Sequence, residues 1–290
     1  MKSEIRLSIN KFLFSVCFAL GISLFLMNTS HAVEPVCPGG SKPDSNIIFC
    51  DDFEGGDYNT KWDNGDGGNP IQNLGYSGKG WYSGDTGSDG HGCDGHYSMG
   101  TRVRWAEKEL YVRYYTYKTP GFPVCSIATK GLIIDGTGSG NGYGGIYNCM
   151  WGNDEFLLHS YGLPSETLDQ NQSKDIKFEG GKWYLIEAHL KLASVGQNNG
   201  VFELWVDDVS SGPPASQTLR MRYTNLPLGS QGYTLTKLDL LTYQNVCTQG
   251  FSGKYIYYDQ IVVSKARIGP MGQPVQGIKI PNAPQIIPFQ

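Results

Sequence analysis

The chain has 290 residues, of which 39 are glycine, 12% are aromatic and 17% are charged, and its formal net charge is −4. Glycine is about twice as frequent as its average of roughly 7%, and helices tolerate it poorly, so the composition excludes a long helical or coiled-coil protein. The 39% of hydrophobic residues disfavours intrinsic disorder, and the negative charge argues against general nucleic-acid binding.

The first segment, residues 1–32, has the features of an export signal. Three basic residues precede the uncharged apolar run Phe12–Met27, and the small-residue site Ser30-His31-Ala32 follows it. The run is shorter than the about 20 residues that a membrane-spanning helix needs. We therefore expect cleavage of the signal rather than an uncleaved anchor, and a secreted or periplasmic protein with no further membrane association.

Removal of the signal leaves an even number of cysteines, namely Cys37, Cys50, Cys93, Cys125, Cys149 and Cys247. In an oxidising compartment this count predicts disulfide bonds, and the sequence does not resolve their pairing. A zinc cluster is disfavoured because no C-x-x-C pair is present. The local pair Cys37–Cys50 is the one we favour, since it would join the N-terminal segment to the first strand.

Short runs rich in aromatic and aliphatic residues follow, separated by glycine-rich breaks, which is typical of antiparallel strands. We predict strands at Tyr97–Trp105, Leu110–Lys118, Ile127–Ile134, Gly145–Trp151, Phe156–Tyr161, Trp183–Leu192, Val201–Asp207, Thr234–Tyr243 and Tyr255–Ser264. They predict one all-β domain over residues 33–269, an antiparallel two-sheet β-sandwich. Asn198-Asn199-Gly200 predicts a hairpin turn, because these residues accept positive φ.

The last segment, residues 270–290, differs from the rest because it contains five prolines and almost no charge. Proline cannot donate a hydrogen bond to a strand ladder, so we predict an extended strap or a loose end rather than a strand.

Side chains alternate across a strand, so each run predicts which residues share a face. Thr101, Val103 and Trp105 are predicted to be buried. The opposite faces carry basic and aromatic residues: Arg102, Arg104, Tyr111, Arg113, Tyr115, Tyr117, His189, Lys191 and Trp205. If neighbouring strands bring these together, guanidinium and ammonium groups would suit the carboxylates of an acidic polysaccharide. The alternative is an ordinary solvated sheet face.

Several segments together resemble secreted bacterial jelly-roll domains of the concanavalin A-like lectin/glucanase superfamily, and within it polysaccharide-lyase-like members. They are Cys50-Asp51-Asp52-Phe53-Glu54-Gly55-Gly56, Leu110-Tyr111-Val112-Arg113-Tyr114-Tyr115, Trp183-Tyr184-Leu185-Ile186-Glu187, Glu203-Leu204-Trp205-Val206-Asp207 and Tyr255-Ile256-Tyr257-Tyr258-Asp259-Gln260-Ile261-Val262-Val263-Ser264. The resemblance implies a ligand groove on a concave sheet.

The same resemblance implies a structural calcium ion on the convex side, with Glu54 and Asp259 at the matching positions. Hard oxygen ligands from both ends of the domain suit Ca²⁺. The alternative is that each is a surface carboxylate with a local hydrogen bond. The acidic loop at residues 85–94 lacks the EF-hand pattern, so we interpret it as a disulfide-pinned turn.

The chemistry most compatible with these residues is β-elimination. No E-x-D-x-x-E-like motif of a retaining glycosidase is present, which places hydrolysis second. A lyase needs a group that neutralises the uronate carboxylate and groups that transfer protons. The candidate catalytic residues are Arg113, Tyr115, Lys130, His159 and His189, with Tyr147 as a further proton-transfer candidate. The candidate substrate-binding residues are Arg102, Arg104, Tyr117, Lys191 and Trp205.

For the two histidines a structural role rather than a catalytic one remains open. His189 could pair with its neighbour Glu187, and His159 could be a core residue whose hydrogen bonds are satisfied.

From these features together we predict a monomeric, secreted polysaccharide lyase acting on an anionic, uronate-containing glycan. The alternatives are a non-catalytic carbohydrate-binding module, which the same groove would also suit, and a purely structural surface domain.

Overall fold

The computed structural model describes residues 45–64, 71–84, 96–122, 128–137, 143–150, 155–161, 173–229, 232–244 and 254–270. The predicted signal, the predicted acidic turn and most of the C-terminal tail lie outside these residues. Within the described part of the chain, no helix is both long enough and apolar enough to span a bilayer.

The described chain is built almost entirely of strands, together with one helical turn, α1 (Tyr58–Lys61). The strands are β1 (Ile47–Asp51), β2 (Trp62–Asn64), β3 (Ile71–Gly75), β4 (Gly78–Gly84), β5 (His96–Thr101), β6 (Glu109–Lys118), β7 (Ala128–Thr137), β8 (Tyr143–Met150), β9 (Glu155–Tyr161), β10 (Ser173–Lys177), β11 (Trp183–Lys191), β12 (Gly200–Asp208), β13 (Leu219–Leu226), β14 (Thr234–Gln244) and β15 (Tyr255–Ser264).

These strands form two antiparallel sheets. Sheet A has the order β13-β12-β11-β6-β15-β4-β3, and β1 also pairs with β15. Sheet B has the order β10-β9-β8-β7-β14-β5-β2. In each sheet some neighbours are consecutive strands, such as β11 and β12 or β7 and β8, whereas others, such as β6 and β15 or β7 and β14, come from distant parts of the sequence, as in a jelly roll. The prediction of an antiparallel two-sheet β-sandwich is therefore confirmed.

The hydrophobic core lies between the inner faces of the two sheets. Sheet A contributes alternate residues such as Val112, Ile186 and Leu204, and sheet B contributes Leu240 and Met99, all of them fully buried. The period-two alternation that the sequence predicts for β6, β11 and β12 therefore identifies the inner residues of these strands correctly.

The predicted strand Tyr97–Trp105 is too long, because β5 ends at Thr101. Thr101 and Trp105 are buried as expected, whereas Val103 is 43% exposed, contrary to the prediction. The backbone leaves the sheet after Thr101: Trp105 donates its N–H to the carbonyl of Thr236, on the neighbouring strand β14. Strand alternation therefore no longer applies to Val103.

The connection between β11 and β12 also differs from the prediction. It is an eight-residue loop whose left-handed residue is Gly196, with φ 71°, rather than a tight turn at Asn199-Gly200. The Asn199 side chain instead braces the loop, because its Oδ1 accepts the N–H of Ser194 at 2.8 Å.

Cys50, on β1, is disulfide-bonded. Cys37 lies outside the described residues, so the pairing Cys37–Cys50 stays a prediction.

Truncation of one inner residue tests this assignment of the core. Leu204→Ala should lower the free energy of unfolding by about 2–5 kcal/mol, because it leaves a cavity between the sheets. Leu219→Ala, at a position 41% exposed, is the matched control and should cost less than about 0.5 kcal/mol. Denaturant unfolding of both variants measures the difference, and equal losses would contradict the proposed packing.

Candidate functional site

Most of the predicted site residues lie on the outer face of sheet A, the face turned away from the hydrophobic core. Arg113 is directly opposite Glu187, which in turn is opposite Trp205. In the same way, Tyr115 is opposite Leu185, and Tyr117 is opposite Trp183. The sequence therefore predicts correctly that these residues share a face.

This face is not an open ligand groove, so the prediction that its basic and aromatic residues are exposed to a glycan is wrong. Tyr115 is fully buried and Arg113 is only 2% exposed. Tyr76, which follows β3, stacks on Tyr115 with ring centroids 4.2 Å apart. These two rings and Tyr117 belong to a second cluster of buried apolar side chains, separate from the core between the sheets. A glycan cannot reach Arg113 or Tyr115 in this structure.

The other cover of sheet A is residues 265–270, which we call the C-terminal strap. The Ile268 and Gly269 N–H groups donate to the Glu187 carboxylate at 2.7 and 2.9 Å. The Gly269 carbonyl accepts a hydrogen bond from Arg113 Nη1 at 3.0 Å. Burial lowers the pKa of the Arg113 guanidinium, and the neighbouring Tyr115 and Glu187 oppose that shift.

His189 is held by two carboxylates from neighbouring strands. Its Nδ1 lies 2.8 Å from Glu203 Oε2, and its Nε2 lies 2.8 Å from Glu109 Oε1. Its ring stacks on Tyr111 at 4.2 Å with an interplanar angle of 2°. The alternative pairing with Glu187 is also not found, because the Glu187 carboxylate binds the strap. His189 thus has a structural environment.

The remaining predicted residues of this face, Lys191 and Trp205, are neutralised or covered as well. Lys191 lies 3.6 Å from Glu109, and Arg222 lies 3.1 Å from Glu203. Trp205 is 6% exposed, because Arg267 of the strap lies over its ring at 4.4 Å. On this face Lys191 and Arg222 are therefore paired with carboxylates, and the face is not a cationic surface.

Arg102 and Arg104 lie elsewhere, just after β5 at the edge of sheet B. Arg102 Nε donates to the backbone carbonyls of Trp62 and Asn59 at 2.6 and 3.0 Å, so the side chain ties β5 to the edge strand β2. Arg104 is exposed. The structure therefore does not bring these arginines together with Arg113 and His189.

The other two predicted catalytic residues, Lys130 and His159, belong to sheet B. Lys130 is directly opposite Tyr147 on one neighbouring strand and Tyr243 on the other. Tyr243 is in turn opposite His96. We call these four residues, Tyr147, Lys130, Tyr243 and His96, the sheet B row, since they cross four adjacent strands.

The strand register places this row on the outer face of sheet B. Leu240 and its partner Met99 are in the core. From Leu240 to Tyr243 strand β14 pairs with β5 without a register shift, so the position of Tyr243, three residues after Leu240, is on the opposite face. In the pairing of β14 with β7, a register shift between Leu240 and Tyr243 brings Lys130 opposite Tyr243. Directly opposite residues of antiparallel strands share a face.

His159 has a position on the same outer face. Leu157 is directly opposite Tyr147, and His159 lies two residues along the same strand, opposite Gly145. Residues two apart on a strand share a face. A core position, the alternative for His159, is therefore not what the register indicates.

Sequence reasoning missed Tyr243 as a member of the site and interpreted His96 as a loop residue rather than a residue at the edge of the groove. Tyr243 ends a correctly predicted strand, and His96 precedes a predicted one. Only the pairing of β14 with β7 and β5 shows that they lie beside Lys130. The signal in the sequence was composition, since the strands of sheet B contain histidines and tyrosines at several positions.

The predicted calcium ligands lie together at the turn between β3 and β4. Asp259 is fully buried, and its oxygens accept the N–H groups of Ser77 and Gln260. Glu54 is exposed and accepts the Lys79 N–H. Burial raises the pKa of Asp259 well above its usual range, and the nearby Glu54 carboxylate raises it further.

The surroundings of Asp259 fit a hard cation in part. Gln260 Oε1 is buried without a hydrogen-bond partner among the described residues, and a Ca²⁺ ion accepts carboxylate, amide and backbone oxygens. No group of three or more His, Cys, Asp or Glu in the described part of the chain is arranged to hold a metal, so backbone and amide oxygens would have to complete the set.

Comparison with known proteins identifies the fold. No protein-family model matches the chain, and no curated protein sequence matches it. The PL-14 alginate lyase from Aplysia kurodai is similar in structure, with a TM-score of 0.50 and 12% identity over 70% of this chain and 88% of that one. The alginate lyase vAL-1 from Chlorella virus has a TM-score of 0.50 and 14% identity over 76% of this chain and 100% of that one.

The chain has the concanavalin A-like jelly-roll fold of these polysaccharide lyases. At such low identity the likeness concerns the fold alone. It confirms the jelly-roll fold that the resemblance of the sequence motifs implies.

Proposed function

We propose that the chain is a polysaccharide lyase that cleaves a uronate-containing, anionic glycan by β-elimination on the outer face of sheet B. The observation that carries the proposal is the sheet B row, in which a lysine lies between two tyrosines, one of which is next to a histidine. Support comes from the fold, which two alginate lyases share.

The residue types of the row match the needs of the reaction. A base removes the C5 proton of the uronate, the C5–H electrons form the C4=C5 double bond, and the C4–O bond to the leaving sugar breaks. An acid returns a proton to that oxygen. The C5 proton becomes acidic only when the carboxylate is neutralised, which an ammonium group can do.

In the proposed mechanism Lys130 neutralises the carboxylate, and the tyrosines on either side of it transfer the protons. Opposite positions in antiparallel strands have Cβ atoms about 4.5–5.5 Å apart, so one sugar ring spans neighbouring positions of the row. His159 and His96 are the alternative proton-transfer groups.

Export is part of the proposal. The export-signal features of residues 1–32 and the disulfide at Cys50 support it, since a lyase for a large extracellular polymer has to meet its substrate outside the cytoplasm.

The charge-neutralising role of Lys130 is tested with Lys130→Met. We expect kcat to fall about 10²–10³-fold, the effect of removing one preorganised electrostatic group. Growth of the ultraviolet absorbance of the unsaturated uronate on alginate, glucuronan, pectate and glycosaminoglycans measures the rate. Lys191→Met is the matched control on sheet A and should retain full activity.

Three results would contradict the proposal. The first is full activity of Lys130→Met, and the second is loss of activity in Lys191→Met. The third is retention of the glycans by the unmodified protein without any growth of the absorbance band, which would indicate a carbohydrate-binding module.

The tyrosines are tested by removal of their hydroxyl groups. Tyr147→Phe and Tyr243→Phe should each lower kcat by about 10²–10⁴-fold, because positioned proton transfer contributes a factor of this size. Tyr111→Phe, on the outer face of sheet A, is the control and should be as active as the parent. If both sheet B variants kept parental kcat, neither phenol would be the acid or the base.

We also propose that Glu54 and Asp259 hold a structural Ca²⁺. Binding would favour the ionised form of Asp259, which burial disfavours in the absence of the ion. Calcium should therefore raise Tm, and Glu54→Gln should abolish most of that rise while its Oε1 still accepts the Lys79 N–H. Thermal unfolding with calcium and with a chelator measures both.

The control for this experiment is Glu179→Gln, an exposed carboxylate that pairs with Lys182. It should keep the full calcium response. No dependence of the parental Tm on calcium would rule the site out.

A further inference from the structure

The outer face of sheet A contains a charged pair whose partners belong to the C-terminal strap. Glu187 is fully buried, and Arg113, directly opposite it in the ladder, is 2% exposed. Removal of a hydrogen-bond partner from a buried charge is strongly destabilising, and Arg113 Nε and Nη2 already have no partner among the described residues. The described hydrogen bonds of both side chains go to the backbone of the strap.

The hydrogen bonds recognise an extended backbone rather than particular side chains. Two successive N–H groups, of Ile268 and Gly269, meet the two oxygens of one carboxylate. The carbonyl of Gly269 meets Arg113 Nη1. Charge-assisted hydrogen bonds of this kind are about twice as strong as neutral ones.

Contacts on either side of Ile268 hold the same segment. The Arg267 guanidinium lies over the Trp205 ring, the Ile268 side chain packs against Cys50 and Val262, and the Lys265 N–H donates to the Asn46 carbonyl at 2.9 Å. The strap thus crosses β12, β11, β6 and β15 and docks against all four.

Gly269 is the residue that makes this docking possible. Its φ is 75°, a left-handed conformation that other residues adopt at a cost of about 1–2 kcal/mol. In this conformation its N–H reaches Glu187 while its carbonyl reaches Arg113.

We propose that Arg113 and Glu187 form a backbone receptor that latches the C-terminal strap onto sheet A and shields its two basic residues, Lys265 and Arg267, from proteolysis. A trypsin-type protease must draw the chain around the scissile bond into its own extended conformation. The chain around the Arg267–Ile268 bond cannot enter the active site of the protease while the Ile268 and Gly269 N–H groups are hydrogen-bonded to the Glu187 carboxylate.

The test is limited proteolysis of the full chain by trypsin, with cleavage after Arg267 followed by mass spectrometry. Glu187→Gln should speed this cleavage at least tenfold, because an amide group offers one acceptor and places a donor against the second N–H. Glu203→Gln, which alters a neighbouring carboxylate that does not bind the strap, should leave the rate unchanged.

A second variant lies on the strap itself and therefore leaves the sandwich intact. Gly269→Ala should also speed cleavage after Arg267, since alanine disfavours the left-handed conformation. Gly196→Ala is a closely matched control: its φ is 71°, and a Cβ there, as at Gly269, meets no atom within 4 Å. The control should show parental cleavage after Arg267.

Hydrogen exchange of the unmodified protein gives an independent readout. The amides of Ile268 and Gly269 should exchange slowly, and in Glu187→Gln they should exchange fast while the amides of β6 and β11 stay protected. Fast exchange of both amides in the unmodified protein would overturn the latch, and so would equal cleavage rates in Gly269→Ala and Gly196→Ala. Lyase activity on sheet B does not enter either result.

Discussion

Both faces of sheet A are buried over much of their area, and this constraint explains the positions of the segments that cover its outer face. Its inner face packs on sheet B, and its outer face carries buried carboxylates, Asp259 and Glu187. Each carboxylate receives backbone N–H groups from a covering segment: Ser77, beside β3, binds Asp259, and the strap binds Glu187. The covers thus supply hydrogen bonds without which each of these buried polar groups would cost about 1–3 kcal/mol.

This arrangement separates a sheet whose outer face is covered from a sheet whose outer face carries the proposed active site. On sheet A several polar side chains pair with each other, as His189 does with Glu203 and Glu109. On sheet B the register aligns lysine, tyrosine and histidine positions across four strands. The proposed β-elimination needs such groups at neighbouring positions, and sheet A is the packed layer behind them.

Strand alternation was enough to predict the fold and the inner face of sheet A. It also placed Arg113, Tyr115 and Tyr117 on one face, because regular strands obey a period of two. It could not predict that this face is covered. The covering residues, Tyr76 and the strap, come from glycine- and proline-rich segments that look like loops in the sequence.

The sheet B row escaped prediction for a different reason. Its alignment depends on which strands become neighbours and on register shifts beside Lys130, and both are set by tertiary packing. Strands such as β4 were missed because glycines replace the expected aliphatic residues: a Cβ at Gly80 would lie 2.8 Å from the Gly75 backbone. Close approach of two chains there explains a composition that looks unlike a strand.

The register shift beside Lys130 has a consequence for how such a domain can diverge. If the shift were lost at the same chain length, strict alternation would move the lysine position, two residues before the inner Leu132, to the interior side. Deletion of the one residue between Lys130 and Leu132 would also restore alternation, but it would leave the lysine position on the outer face. A homologue that retains these residue types therefore need not present them alike, because the register of this strand decides which face the lysine position occupies.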